Sequence, residues 1–258
     1  MARTKVRYGR HRGQVADLWR PAGAVGDLPV VVLIHGGYWK AIYTRRLMRR
    51  MAVAVTAQGW MAWNIEYRRV GVFGSCGWPR TLQDVGAAID HLARIDGVDV
   101  GRVVACGHSA GGQLALWAAG RRRLPPDAPG AGGAVALRGA VSLAGVVDLV
   151  RGHELDLGGG AVAAFLGGDP EGVPERYATA SPQALLPLGV PQVVVHGLAD
   201  TTVPPALSDA YQVAATKAGD AVAYVPVAGA GHRDVIDPGT PAWGVIAGSL
   251  KGMLDSEI

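Results

Sequence analysis

The sequence predicts an α/β fold: a mostly parallel, twisted sheet with helices on both faces and an antiparallel hairpin at the N-terminus. Short apolar runs recur at residues 30–34, 60–65, 103–106, 140–143, 192–196 and 221–227. Between them, apolar positions fall at helical spacing: Leu82, Val85, Ile89 and Leu92 share one helical face, as do Tyr211, Ala214 and Ala215. The runs are almost continuously apolar, as strands buried on both faces must be. Ahead of them, residues 5–8 and 14–19 flank the glycine-bounded stretch 9–13 and read as a hairpin on the sheet edge.

A chain of 258 residues with 49% hydrophobic and 18% charged content can bury a large core, and residues 1–258 are expected to form one domain. Residues 145–190 are rich in glycine and proline and contain the apolar run 161–166. They are the candidate for a small lid; the alternative is a long connection whose short helix only covers the sheet.

Composition narrows the function classes. No apolar stretch approaches the roughly 20 residues of a membrane helix, and residues 1–12 are charged without an apolar leader core, so no membrane partner and a cytoplasmic location are expected. Cys76 and Cys106 are the only cysteines, with no disulfide framework and no metal-ligand spacing, so neither a disulfide nor a metal is expected. The net charge of +4 comes from clusters at Arg3–Arg12, Arg45–Arg50 and Arg121–Arg123, which read as solvated faces. No basic surface is interleaved with aromatics, which argues against nucleic acid as a partner.

The chemistry concentrates in Gly107-His108-Ser109-Ala110-Gly111, set between the run 103–106 and a helix-like segment. A serine between two glycines on a strand-to-helix turn is a nucleophile elbow, with the hydroxyl lifted above the sheet end and a helix N-terminus aimed at it. No other serine has glycines at both positions; Ser75 lacks the first. A serine hydroxyl needs a histidine to accept its proton, and that imidazole needs a carboxylate to set its tautomer. Only His232 follows all the plausible acids in the order serine, acid, histidine, so His232 is the expected base. Asp200 emerges just after the run 192–196 and is the expected acid; Asp148, beyond 140–143, is the alternative.

A tetrahedral intermediate also needs amide donors for its oxyanion. His35-Gly36-Gly37-Tyr38-Trp39 follows the run 30–34 and supplies such a loop, with the amides of Gly37, Tyr38 and Ala110 as expected donors. His35, His108 and His196 read as structural hydrogen-bonding groups. Trp39, Trp78 and Phe165 are candidates for lining an acyl or aryl pocket, a core position being the alternative. Arg68 either organises the sheet end or holds a substrate carboxylate.

These residues resemble those of the α/β-hydrolase superfamily, and within it the kynurenine formamidase-like and small carboxylesterase group. The resemblance spans residues 30–241 and rests on His35-Gly36-Gly37-Tyr38-Trp39, Tyr67-Arg68, Gly107-His108-Ser109-Ala110-Gly111-Gly112, Ser181-Pro182, His196-Gly197 with Asp200, and Gly231-His232. It implies an α/β-hydrolase fold and a cofactor-free serine hydrolase acting on a small-molecule carboxylic ester or N-formyl amide through an acyl-enzyme on Ser109. Kynurenine formamidases cleave N-formyl-L-kynurenine to formate and kynurenine, and the Gly-Gly-Tyr-Trp loop looks like theirs. The competing expectations are acyl transfer to an acceptor other than water, and a non-catalytic hydrolase fold that only binds.

Overall fold

The computed structural model describes residues 1–71 and 77–255. Within them β1 (Ala2–Arg7), β2 (Val15–Arg20), β3 (Leu28–Ile34), β4 (Met61–Ile65), β5 (Val98–His108), β6 (Gly139–Leu143), β7 (Gln192–Gly197) and β8 (Val222–Val227) form one sheet. Its order is β1-β2-β4-β3-β5-β6-β7-β8. β1 and β2 pair antiparallel, as do β2 and β4, and the remaining neighbours are parallel. This is the α/β-hydrolase architecture that the sequence implied. β1 and β5 begin three and five residues ahead of the expected starts at 5 and 103. β1 begins at Ala2 because the edge pairing is made by backbone groups and tolerates the exposed charged side chains Arg3, Lys5 and Arg7. β5 begins at Val98, ahead of a register shift beside Leu28 and Val30 that the polar segment 99–102 conceals in the sequence.

The helices are α1 (Arg49–Ala57), α2 (Arg80–Asp90), α3 (Ala110–Gly120), α4 (Leu149–Glu154), α5 (Ala161–Leu166), α6 (Pro174–Ala180), α7 (Ala206–Lys217) and α8 (Ala242–Asp255). Successive β3 side chains point to opposite faces. Val30, Val32 and Ile34 enter a core shared with α2, α3 and α7, whereas Val31 and Leu33 meet α1 and α8. Each such fully buried aliphatic side chain contributes about 1.5–3 kcal/mol relative to exposure. Among the described residues, no helix is long and apolar enough to cross a membrane. Cys106 is unpaired on β5, and burial pushes its thiol up to about 12; the expectation for Cys76 lies outside the described residues, as does Ser75. Arg121, expected on a solvated face, is instead buried with its guanidinium 2.5 Å from Asp90 at the end of α2.

Residues 145–190 carry α4, α5 and α6, which send Leu149, Val162, Phe165 and Tyr177 into the α2–α3 core. This segment also meets the loop after β3: the Gly158 carbonyl accepts a hydrogen bond from Lys40 Nζ at 2.9 Å. A Cβ at Gly158 would lie 2.5 Å from the Tyr38 ring.

Candidate active site

β5 ends at His108 and α3 begins at Ala110, so Ser109 carries the whole change of direction, at φ 56° and ψ −121°. A serine held at positive φ is strained, and the surroundings enforce it. Ser109 N–H donates to Leu143 O on the neighbouring strand at 2.8 Å, while Ser109 O accepts from Gly112 N–H at 2.9 Å. The glycines are required by contact. A Cβ at Gly107 would sit 1.9 Å from Gly111 O, and one at Gly111 would sit 2.1 Å from Ile34 O.

The loop after β3 wraps against this turn. A Cβ at Gly36 would fall 2.6 Å from His108 O and 2.9 Å from Ser109 Cβ. Gly37, Tyr38 and Trp39 then take φ of 112°, 52° and 54°, a left-handed run that turns the chain back on itself. The N–H groups of Gly37, Tyr38 and Ala110 have no acceptor among the described residues. His35 braces the start of the loop. Its Nε2 donates to Glu66 Oε1 at 2.9 Å, and its carbonyl accepts from Tyr67 Oη at 2.7 Å, with the two rings stacked 4.4 Å apart. Burial opposes ionisation of Glu66, yet the His35 and Arg69 contacts outweigh it and hold the carboxyl below its ordinary value.

Asp200 and His232 come together from the ends of β7 and β8. His232 Nδ1 donates to Asp200 Oδ2 at 2.7 Å, which leaves Nε2 as the basic nitrogen. The same Oδ2 accepts from His196 Nε2 at 3.0 Å, and Oδ1 accepts from Thr202 N–H at 2.7 Å and Val203 N–H at 3.0 Å. Burial penalises this carboxylate, but donors from His196, His232, Val203 and Thr202 prevail and hold it well below the usual carboxylate range. His196 is fixed in turn: its Nε2 also faces Val203 O at 3.0 Å, so Ser208 Oγ donates to Nδ1 at 2.6 Å. This second histidine on Asp200 was expected only as a structural group.

His108 positions the backbone of His232. Its Nε2 donates to His232 O at 2.8 Å, and the two rings lie 4.6 Å apart. Burial, reinforced by His232, pushes His108 down to about 3, so it stays neutral and Nδ1 is a buried nitrogen without a partner. Unfolded, a histidine binds its proton near 6.5. The neutral folded form therefore contributes stability that is complete above that value and is lost as pH falls toward 3. Urea denaturation of wild type and His108→Asn at pH 7, 6 and 5 should show the wild type losing up to about 1.4 kcal/mol more per pH unit below pH 6.5. Parallel pH dependences for the two proteins would contradict this.

Ser109 and His232 line one cavity of about 320 Å³ together with Gly37, Tyr38 and His108, and Tyr43, Leu47 and Ile236 form its apolar walls. The wall residues carry no motif that sequence reading could have found. The expected pocket residues lie elsewhere. Trp39 and Phe165 are fully buried and stacked on each other at 4.6 Å, and the Trp39 indole donates to Gln113 Oε1, so both belong to the core. Trp78 packs against the same core under Arg176. Arg68 is held by Asp84 through two guanidinium contacts of 2.9 and 2.7 Å and lines a different cavity, which makes it an organising residue. Asp148 caps α4 through Arg151 N–H, away from His232.

The BD-FAE family matches residues 16–214. Esterase LipQ of Mycobacterium tuberculosis is 30% identical over 240 residues, which cover 86% of this chain and 54% of LipQ. Kynurenine formamidase of Danio rerio is 28% identical over 112 residues, or 43% of this chain and 36% of that protein. The chain thus spans about half or less of the length of these curated relatives. The solved structure of a truncated form of a carbohydrate esterase from gut microbiota superposes with a TM-score of 0.81 at 20% identity, over 98% of this chain and 97% of that one.

Proposed function

We propose, from the premise that this chain belongs to the BD-FAE family of the α/β-hydrolase fold, that it is a serine hydrolase of small carboxylic esters. In this reading Ser109 Oγ attacks the ester carbonyl while His232 Nε2 takes the hydroxyl proton, and Asp200 holds the imidazolium through Nδ1. The amides of Gly37, Tyr38 and Ala110 receive the oxyanion. His232 returns the proton to the departing alcohol; it then takes a proton from water as the water oxygen adds to the acyl carbon, and gives it to Ser109 Oγ as the acyl–oxygen bond breaks and the acid leaves. The observation that carries the reading is the shared cavity: a strained serine and an Asp200-bound imidazole face the same small space.

A cavity of about 320 Å³ lies at the lower end of the roughly 300–1,000 Å³ range of small-molecule sites and favours short acyl groups. A formamide carries the smallest acyl group of all. The His35-to-Trp39 loop and the likeness to a kynurenine formamidase favour cleavage of N-formyl-L-kynurenine as the second reading. Initial rates on p-nitrophenyl acetate, butyrate and octanoate beside N-formyl-L-kynurenine separate the two. The ester reading expects kcat/KM to fall by about tenfold or more between butyrate and octanoate. Turnover of the formyl substrate with none of the esters would overturn it in favour of the formamidase.

A further inference from the structure

A second cavity, of about 550 Å³, is lined by Ala41 and Arg45, in the same segment whose Tyr43 and Leu47 line the candidate active site. Its wall holds one carboxylate, Glu66, and six cations: Lys5, Arg12, Arg45, Arg68, Arg69 and Arg80 converge from β1, the hairpin turn, the segment after β3, the segment after β4 and the first residue of α2. Three of them are neutralised. Arg45 is 3.1 Å from Asp17, Arg68 is 2.7 Å from Asp84, and Arg69 is 2.6 Å from Glu66. Lys5, Arg12 and Arg80 have no carboxylate within ion-pair distance among the described residues. His11 also lines the space; its Nδ1 accepts from Gly13 N–H at 3.0 Å, which in the neutral ring leaves Nε2–H as a donor.

Like charges gathered around a concavity focus a positive potential inside it, and the concavity's low-dielectric walls strengthen that field. The fixed forks of arginine match the paired oxygens of phosphate or carboxylate. The three existing ion pairs supply rigidity: with Asp17, Asp84 and Glu66 all buried, they anchor Arg45, Arg68 and Arg69 as walls and leave the three unpaired cations as the ligand-binding charges. We propose that this cavity is a binding site for a compact, multivalent oxyanion, a phosphate ester or a polycarboxylate. It is distinct from the space beside Ser109 and independent of the hydrolase reading.

Calorimetric titration of the full chain at low ionic strength with inorganic pyrophosphate, and separately with citrate, tests the proposal. The expected result is saturable one-site binding of at least one of them, with a raised melting temperature. The variant carrying Lys5→Gln, Arg12→Gln and Arg80→Gln should bind about tenfold or more weakly. All three residues are exposed, and an unshifted ligand-free melting curve shows that the variant folds. Binding of pyrophosphate alone identifies the phosphate source, and of citrate alone the carboxylate source; either supports the site. No saturable binding of either, an effect that sodium chloride reproduces at matched ionic strength, or undiminished affinity in the triple variant would overturn it.

Discussion

Ser109→Ala should remove p-nitrophenyl ester turnover by about 10⁶-fold in kcat, leaving only what the amide donors and simple binding provide. The expected size follows from the work assigned to this one oxygen. Without it there is no acyl-enzyme, and His232 has no hydroxyl proton to accept. The methyl group left behind fits the site: Ser109 is 2% exposed, and the turn is held by Leu143 O and by Gly112 N–H rather than by the hydroxyl. The variant should therefore keep the wild-type melting temperature within about 2 °C, so that lost turnover cannot be ascribed to lost folding. A fluorophosphonate probe should add one adduct to the wild-type chain at Ser109 and none to the variant. Turnover retained at the wild-type level, or labelling at another residue, would dismiss Ser109 as the nucleophile and with it the acyl-enzyme.

The elbow was legible in the sequence because its constraint is local. Gly107 and Gly111 are read from spacing alone, and the contacts a Cβ would make there explain the spacing. The strand ends that carry Asp200 and His232 were legible because each follows a short apolar run, although only β7 is buried and β8 is the half-exposed edge strand of the sheet. What stayed hidden depends on partners distant in sequence. Trp39 and Phe165 were candidates for a pocket with the core as the commoner place for an aromatic, and the packing of α5 against the loop after β3 sends both inward. The fate of Arg68 was set by Asp84, buried on α2 and 16 residues away. The second histidine on Asp200 was visible as a residue but not as a partner, since its orientation depends on Ser208 in α7.

Asp200→Asn separates the electrostatic from the packing role of the acid, because the amide matches the carboxylate in size but cannot satisfy its neighbours. Oδ2 receives two histidine N–H groups and Oδ1 receives two backbone amides, so all four surrounding groups are donors. Whichever way the asparagine amide turns, its NH₂ must face two of those donors. If it faces His232, that ring has to present a lone pair at Nδ1 and carry its proton on Nε2, the tautomer that cannot accept from Ser109. The expected loss is about 10⁴-fold in kcat with little change in KM. If the NH₂ instead faces Thr202 and Val203, the turn loses two hydrogen bonds, and stability should fall by about 1–3 kcal/mol. Asp200 is ionised well below its ordinary range, so its contribution to stability is present above the unfolded carboxylate value of about 3.9 and is lost as pH drops further. The stability gap between wild type and Asp200→Asn should accordingly narrow below that pH, as urea denaturation at pH 7, 5 and 3 would reveal. Asp148→Asn should leave kcat unaltered, because Asp148 caps α4 and does not touch His232. Wild-type kcat in Asp200→Asn together with a collapse in Asp148→Asn would transfer the acid to β6 and require a different orientation of the imidazole.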